Sequence, residues 1–198
     1  MKIVRAALAS ALFLGLLLAV YLVHTRYLRV DVVFYDALQD VVLATLVAAG
    51  ALFGLRSFRV FNPFEKCQLV LIWLLVGYAL AISVPTLIDR SLSFYILEKL
   101  AQRGGGIQLA SFEDVFTREY VKEHRLVDVR LTEQQASGTI VIDGDCVRLT
   151  PRGEVLAGFS RFFRRHFLPR QRLLMQAYSD ELTDPFRDGQ PPPSDYGC

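Results

Sequence analysis

The chain has 198 residues, of which 53% are hydrophobic, and its 22 basic and 20 acidic side chains give a formal net charge of +2. This small net charge gives no general reason to expect nucleic-acid binding. The composition is divided along the chain, because long uncharged runs dominate up to residue 88 and charged residues recur every few positions after Asp89. We therefore expect a membrane-embedded part followed by a water-exposed part.

Three segments predict membrane-spanning helices. The runs Ala6–Val23 and Cys67–Ile88 contain no charged residue. Each reaches the length of about 20 residues that a helix needs to cross about 30 Å of hydrocarbon. The apolar run Val41–Leu55 lies between them, and apolar residues before it lengthen the segment so that Asp36 and Asp40 fall near a membrane boundary.

The first apolar run has two interpretations. Lys2 and Arg5 precede it, as basic residues precede the apolar region of a secretory signal peptide. However, its apolar core is long, and the following "VHTRYLR" contains no small-x-small cleavage site. We therefore expect an uncleaved membrane anchor and assign residues 1–90 to a three-span transmembrane domain.

The elements predicted after the third span are three helical segments, a β-hairpin and a final helix. Helical spacing over "SLSFYILEKLAQRGGG" and "SFEDVFTREYVKEH" predicts the first two helices, and "VDVRLTEQQASG" predicts a third short helix or turn. In "TIVIDGDCVRLT" the dipeptide Asp143-Gly144 separates two strand-like runs, which is typical of a hairpin. Thr150 then caps the amphipathic helix that follows, with Pro151 in its first turn.

This order of elements, together with "GDCVRLTPRGEVLA", resembles the winged-helix domains of soluble regulators. In those domains a Leu-Thr-Pro-Lys/Arg-Gly run often leads from the wing into the last helix. The resemblance covers about residues 91 to 168, and it implies a winged-helix-like α+β domain over residues 91–175. The fold class expected for the whole chain is a mainly α membrane protein, with three transmembrane helices, this domain, and an extended or disordered Pro-rich tail over residues 176–198.

A DNA-binding fold does not by itself imply DNA binding. In the third helical segment, which would enter the major groove, Arg130 is offset by Asp128 and Glu133. The tip of the wing, "DGD", is acidic where a phosphate contact needs a basic residue. Nucleic acid is therefore not an expected partner, and the domain is interpreted as a protein-contact module.

The final helix carries both a phenylalanine face and an arginine face. Phe159, Phe162 and Phe163 are expected to lie on its buried side. Together with Thr150 they are the candidate residues of the interaction domain. The opposite side carries Arg161, Arg164 and Arg165, which are three or four residues apart. These arginines are interpreted either as a solvated face or as contacts to anionic lipid headgroups, and both interpretations hold if the phenylalanines pack inward.

A second group of arginines is expected at one membrane face. Three spans place the end of the first and the end of the third on the same side, so Arg26, Arg29 and Arg90 are candidates to contact a lipid phosphate. The alternative is that these side chains are interfacial anchors and that their acidic and hydroxyl neighbours are helix caps. Those neighbours are Asp31, Asp36, Asp89, Ser91 and Ser93.

No motif indicates a catalytic residue, a metal or a cofactor. The histidines His24, His124 and His166 do not cluster in sequence, and no set of possible ligands has metal-binding spacing. Three cysteines lie far apart, and we expect them to be unreactive thiols that form no disulfide framework. They are Cys67, Cys146 and Cys198.

The orientation is not determined by the basic residues near the span ends, because five lie on each side. The N-terminal "MKIVRA" favours a cytoplasmic N-terminus, whereas the winged-helix resemblance favours a cytoplasmic C-terminal domain. We expect the second arrangement, in a multi-pass protein of the bacterial inner membrane. The two sets of basic residues are Lys2, Arg5, Arg56, Arg59 and Lys66, and Arg26, Arg29, Arg90, Lys99 and Arg103.

These expectations favour a non-catalytic accessory subunit of a membrane complex, with membrane lipids and a larger membrane protein as partners. The arginines at the membrane face suggest that the complex handles lipid-linked substrates. One alternative is a membrane-anchored transcription regulator, which the acidic wing disfavours. Another is a lipid-modifying enzyme that uses the arginine, aspartate and serine face, which the lack of a recognisable acid-base pair disfavours.

Overall fold

The computed structural model describes residues 2–186. The chain divides into two compact units between Phe116 and Thr117. This division lies downstream of the boundary predicted at residue 90, which stays a prediction. The larger part of the predicted tail, from residue 187 onward, lies outside the described residues.

The first unit contains three helices that are long and apolar enough to cross a membrane. Helix α1 covers Lys2–Tyr27 and helix α2 covers Val33–Gly54. A short 3-10 helix, Arg56–Phe58, precedes helix α3, Pro63–Ala81. The three predicted spans are therefore helical, and residues 2–186 contain the predicted three apolar helices of membrane-spanning length.

The third long helix begins at a capping box and changes its winding near its end. The Asn62 side chain accepts a hydrogen bond from the Glu65 N–H, and the Glu65 carboxylate accepts one from the Asn62 N–H. After α3, a π-helical turn over Ile82–Thr86 contains Pro85 and leads into helix α4, Leu87–Arg90. Proline lacks a backbone N–H, so this turn accommodates it without ending the helix.

Helix α2 is the central helix of the first unit. In its apolar window 39% of the residues are buried, against 11% in α1 and 17% in the third long helix. Its buried face is built largely from small residues, which let neighbouring helices approach closely. Gly77 of α3 meets this face so closely that a Cβ atom there would lie 2.4 Å from a methyl carbon of Val41. The buried apolar residues of α2 are Ala37, Val41, Ala44, Ala48 and Leu52.

Trp73 joins α1 to α3 in the same core. Its ring stacks on Phe13, with the centroids 5.5 Å apart, and its indole N–H donates to the Ser10 hydroxyl at 3.0 Å. Both rings are almost fully buried. Because the serine accepts the indole N–H, the tryptophan buries its large apolar ring without leaving its polar nitrogen unpaired.

The helices that follow the third long apolar helix match the predicted order, although the second is irregular. Helix α5 covers Leu92–Gln102, and helix α8 covers Leu126–Ala136. Between them, the predicted second helix is a succession of short segments of different winding. These are a 3-10 turn at Leu109–Ser111, helix α6 at Phe112–Asp114, a π-helical segment at Val115–Tyr120 and helix α7 at Val121–Glu123.

The predicted hairpin and final helix are also present. Strands β1, Ile140–Asp143, and β2, Cys146–Leu149, are antiparallel, and Gly144 turns between them with a φ of 59°. Helix α9 covers Pro151–His166. A second small hairpin, β3 at Arg172–Leu174 and β4 at Ala177–Ser179, and a 3-10 turn at Glu181–Thr183 follow, partly in the stretch predicted as extended or disordered.

The second unit has almost no apolar core. Among residues 117–186, Tyr120 is the only hydrophobic side chain that is buried. The expectation that Phe159, Phe162 and Phe163 are buried is wrong, since they are 59%, 51% and 42% exposed. The reason is that α9 contacts the rest of the unit on its other side, at Gly153 and through the pair between Arg165 and Asp184.

Candidate functional site

A histidine–aspartate contact that sequence reasoning missed joins the first two long helices. His24 lies near the end of α1 and Asp40 lies in α2, and the His24 Nδ1 is 2.7 Å from the Asp40 carboxylate. Their side chains are 14% and 6% exposed. The sequence did contain a signal for this contact. His24 and Asp40 are ionisable residues in two consecutive apolar helices, and the short loop between the helices brings their ends together.

The surroundings of this pair are partly polar. His24, Gln39 and Asp40 line a groove of about 590 Å³ whose other walls are aliphatic. A carboxylate that binds one imidazole nitrogen fixes the ring's orientation and leaves the second nitrogen to exchange a proton. The simplest role of the same pair is a polar link between two long apolar helices.

Two of the five acidic and serine neighbours of the predicted arginine cluster, Asp36 and Ser91, accept backbone N–H groups at helix starts. The Asp36 carboxylate accepts the N–H groups of Asp31 and Val32 at 2.8 and 3.2 Å, which closes the loop between α1 and α2. The Ser91 hydroxyl accepts the Phe94 N–H at 3.3 Å and begins α5. The structure therefore supports the capping interpretation for Asp36 and Ser91.

The three arginines of that cluster differ in exposure. Arg26 and Arg29 are exposed at the end of α1 and in the following loop, whereas Arg90 is half-buried at the end of α4. A role for them in binding a lipid phosphate stays a prediction.

At the other end of α1, basic residues hold the helices together. Lys2 pairs with Glu65 at 2.7 Å, and the Arg5 guanidinium donates to the Ser57 carbonyl at 2.7 Å. The buried Lys66 places its ammonium group 5.0 Å from the ring centroid of Phe53. Three of the five basic residues counted on this side thus make contacts within the protein.

Thr150 has the predicted capping role and a second role. Its hydroxyl oxygen accepts the Gly153 N–H at 3.1 Å, which caps α9. The same hydroxyl lies 2.8 Å from the Gly138 carbonyl and 3.0 Å from the Thr139 carbonyl, and its single proton can be donated to either one. Thr139 is buried, and its own hydroxyl donates to the Gln134 carbonyl. This polar junction connects the end of α8, the start of β1 and the start of α9.

The arginines of α9 line a groove on the second unit. Arg161 is exposed, Arg164 is half-buried, and Arg165 pairs with Asp184. The groove has a volume of about 710 Å³ and is completed by residues of the last described turn, including Phe186. Arg161 and Arg165 are thus exposed, as predicted, whereas Arg164 is half-buried, and a contact between these arginines and lipid stays a prediction.

The cysteines differ from the expectation of three unpaired thiols. Cys67 is free and exposed, whereas Cys146, at the start of β2, is disulfide-bonded. Cys198 lies outside the described residues. Spacing in the sequence did not reveal the bond, because connectivity cannot be deduced from the positions of cysteines alone.

Within residues 2–186, no group of three or more histidine, cysteine, aspartate or glutamate side chains is arranged to hold a metal ion. Comparisons with protein-family models, with curated proteins and with solved structures gave no match. The winged-helix resemblance therefore depends on the order of elements and the short motif around Thr150, and it stays a prediction.

Proposed function

We propose that the protein is an accessory subunit of a complex in the bacterial inner membrane, anchored by three spans and working through contacts rather than catalysis. The observation that carries this proposal is the apolar surface that the second unit exposes outside α9, which includes Val127, Val141, Leu149 and Tyr178. A segment of this size without a core of its own is too weakly stabilised to stand alone in water. Large exposed apolar patches mark surfaces that bind a partner or a membrane.

Membrane insertion is supported by the outward faces of the long helices. Many large aliphatic side chains of α1, α2 and α3 are half or more exposed, which suits hydrocarbon and not water. Examples are Leu8, Leu18, Leu46, Leu71 and Leu75, at 58% to 65% exposure. The proposed partners are membrane lipids and a larger membrane protein, and the arginines near the membrane face favour a complex that handles lipid-linked substrates.

The test is purification of the full chain from native membranes in mild detergent, followed by native mass spectrometry. An accessory subunit is expected in a complex of fixed stoichiometry that persists through size exclusion. An isolated chain that by itself turns over a lipid-linked substrate would contradict the proposal.

The orientation that we propose is opposite to the one favoured by the winged-helix resemblance. The disulfide at Cys146 favours an oxidising compartment for the second unit, because disulfides are rare in the cytosol. Three spans then place the N-terminus in the cytoplasm, as Lys2 and Arg5 before the first long helix suggest. A transcription regulator is disfavoured in this orientation.

Thiol chemistry tests this orientation in two ways. The sequence has three cysteines, and Cys67 is free. If the disulfide lies within the chain, alkylation of the denatured protein should modify one thiol before reduction and three thiols after reduction. In intact spheroplasts, a membrane-impermeant maleimide should label a Gln135→Cys variant and leave Cys67 unlabelled. Labelling of Cys67 without labelling of residue 135 would show that the protein has the opposite orientation.

A lipid-modifying enzyme is the second candidate function, and the His24–Asp40 pair is the observation that favours it. The pair supplies a group able to exchange a proton beside a groove that is open along apolar helices. The purified chain would then modify a phospholipid or lipid-linked substrate, and Asp40→Asn would abolish the activity. Equal turnover by the unaltered chain and by the Asp40→Asn variant would show that the pair takes no part in the reaction.

A further inference from the structure

Helix α9 exposes a continuous apolar face. At about 100° per residue, six large apolar side chains of the helix and its first following residue fall within an arc of about 140°. All six are 42% to 73% exposed. They are Val155, Leu156, Phe159, Phe162, Phe163 and Phe167.

The contacts of α9 with its own unit use the other side of the helix. A Cβ atom at Gly153 would lie 2.1 Å from the Thr139 carbonyl oxygen and 2.6 Å from a methyl carbon of Leu149. Near the other end, Arg165 pairs with Asp184. The unit therefore holds the helix in a position that leaves its phenylalanines uncovered.

We propose that this face lies in the boundary between headgroups and acyl chains of an anionic bilayer, as an interfacial amphipathic helix. This inference rests on the membrane location proposed above. Charge complementarity identifies the occupant, because residues 151–172 contain six arginines and a single acidic residue, Glu154. A basic helix with an aromatic apolar face is typical of helices that lie on membrane surfaces.

The positions of individual arginines fit this placement. Arg164 and Arg165 lie about 130° to either side of the centre of the apolar face, and long arginine side chains can extend from such positions to lipid phosphates. Arg161 lies almost opposite the face and would remain in water. The arrangement reverses the expectation from the sequence, in which the phenylalanines pack inward and the arginines alone meet lipid.

Hydrogen exchange of the full chain in vesicles tests the inference. Backbone amides of residues 151–167 should exchange more slowly in phosphatidylglycerol vesicles than in phosphatidylcholine vesicles. The Phe159→Ser and Phe163→Ser double variant should lose this difference, while Arg161→Gln should keep it. Equal exchange of the unaltered chain in the two kinds of vesicle would overturn the inference.

Photocrosslinking in native membranes separates a bilayer from a protein partner. With p-benzoylphenylalanine in place of Phe163, ultraviolet light should crosslink the full chain to a phospholipid and raise its mass accordingly. With the same residue in place of Arg161, no phospholipid adduct should form. A protein adduct at residue 163 would show that a protein covers the face. A carbonate wash of the membranes tests the three spans independently of α9. If every variant stays in the membrane fraction but residue 163 does not crosslink to lipid, the inference about α9 fails while the proposal of membrane insertion stands.

Discussion

The carbonyl oxygen of Thr139 lies where a side chain at Gly153 would begin, since a Cβ atom on that glycine would be 2.1 Å from it. The Thr150 N–H donates to the same oxygen at 3.1 Å. Helix α9 therefore starts in direct contact with the backbone at the start of β1. This explains the run Leu-Thr-Pro-Arg-Gly physically, with threonine as the cap, proline in the first turn and glycine at the close approach.

Replacing Gly153 with alanine should disrupt the junction. The new Cβ atom would collide with the Thr139 carbonyl oxygen, and a backbone atom cannot rotate away as a side chain can. We expect faster proteolysis within residues 117–186 of the full chain and a loss of stability above about 1 kcal/mol. Gly158→Ala is the matched control, since nothing lies within 4 Å of the Cβ position there. Removing a helical glycine should make that variant more stable by up to about 1 kcal/mol. Equal proteolysis of the two variants would contradict the close approach.

Gly77 should be similarly sensitive in the first unit, where α2 and α3 cross. The Cβ atom of a Gly77→Ala variant would meet the side chain of Val41, whose branched carbon has few alternative rotamers. The expected result is a lower thermal unfolding midpoint in detergent, with partial recovery when Val41→Ala is added to make room. Gly50→Ala, which has open space, should leave the midpoint nearly unchanged. Absence of any recovery in the double variant would show that the strain lies elsewhere.

The three apolar helices and the hairpin could be predicted because their signals are local. A long uncharged run predicts each apolar helix, and the dipeptide at Gly144 predicts the turn. Local chemistry also identified Thr150 as a cap. None of these depends on which distant segment packs against which.

The burial of α9 and the pair at His24 could not be predicted in this way. An amphipathic pattern shows that Phe163 shares a face with other apolar residues, but it does not say whether protein or lipid covers that face. His24 and Asp40 are separated by a loop, and their contact depends on the register between two helices. The disulfide at Cys146 has the same non-local origin.

Phe13→Ala should destabilise the packing of α1 on α3. Removing a buried phenylalanine costs about 3–5 kcal/mol in a well-packed core, and here it also removes the ring stacked on Trp73. Because Trp73 is the only tryptophan in the chain, its fluorescence should shift to longer wavelength as the indole becomes less protected. Leu14→Ala, at a side chain 43% exposed, should leave the spectrum unchanged. A shift of equal size in both variants would mean that Trp73 senses general loosening of the first unit.

His24 of α1 and Asp40 of α2 should behave as a coupled pair when they are changed separately and together. Asp40 is almost fully buried, so His24→Leu leaves a carboxylate without its partner in apolar surroundings. Each single leucine variant should lose about 1–2 kcal/mol, the range found for polar contacts between membrane helices. The double variant His24→Leu with Asp40→Leu should recover much of this loss, because two apolar side chains can replace a paired charge.

Thermal unfolding in detergent, together with growth of cells that depend on the protein, separates a structural pair from a functional one. A double variant that is stable and supports growth assigns the pair to helix packing. If it is stable and growth fails, the proton-exchanging role beside the groove gains support. Additive losses in the two single variants, with no recovery in the double variant, would show that His24 and Asp40 do not interact in the folded protein.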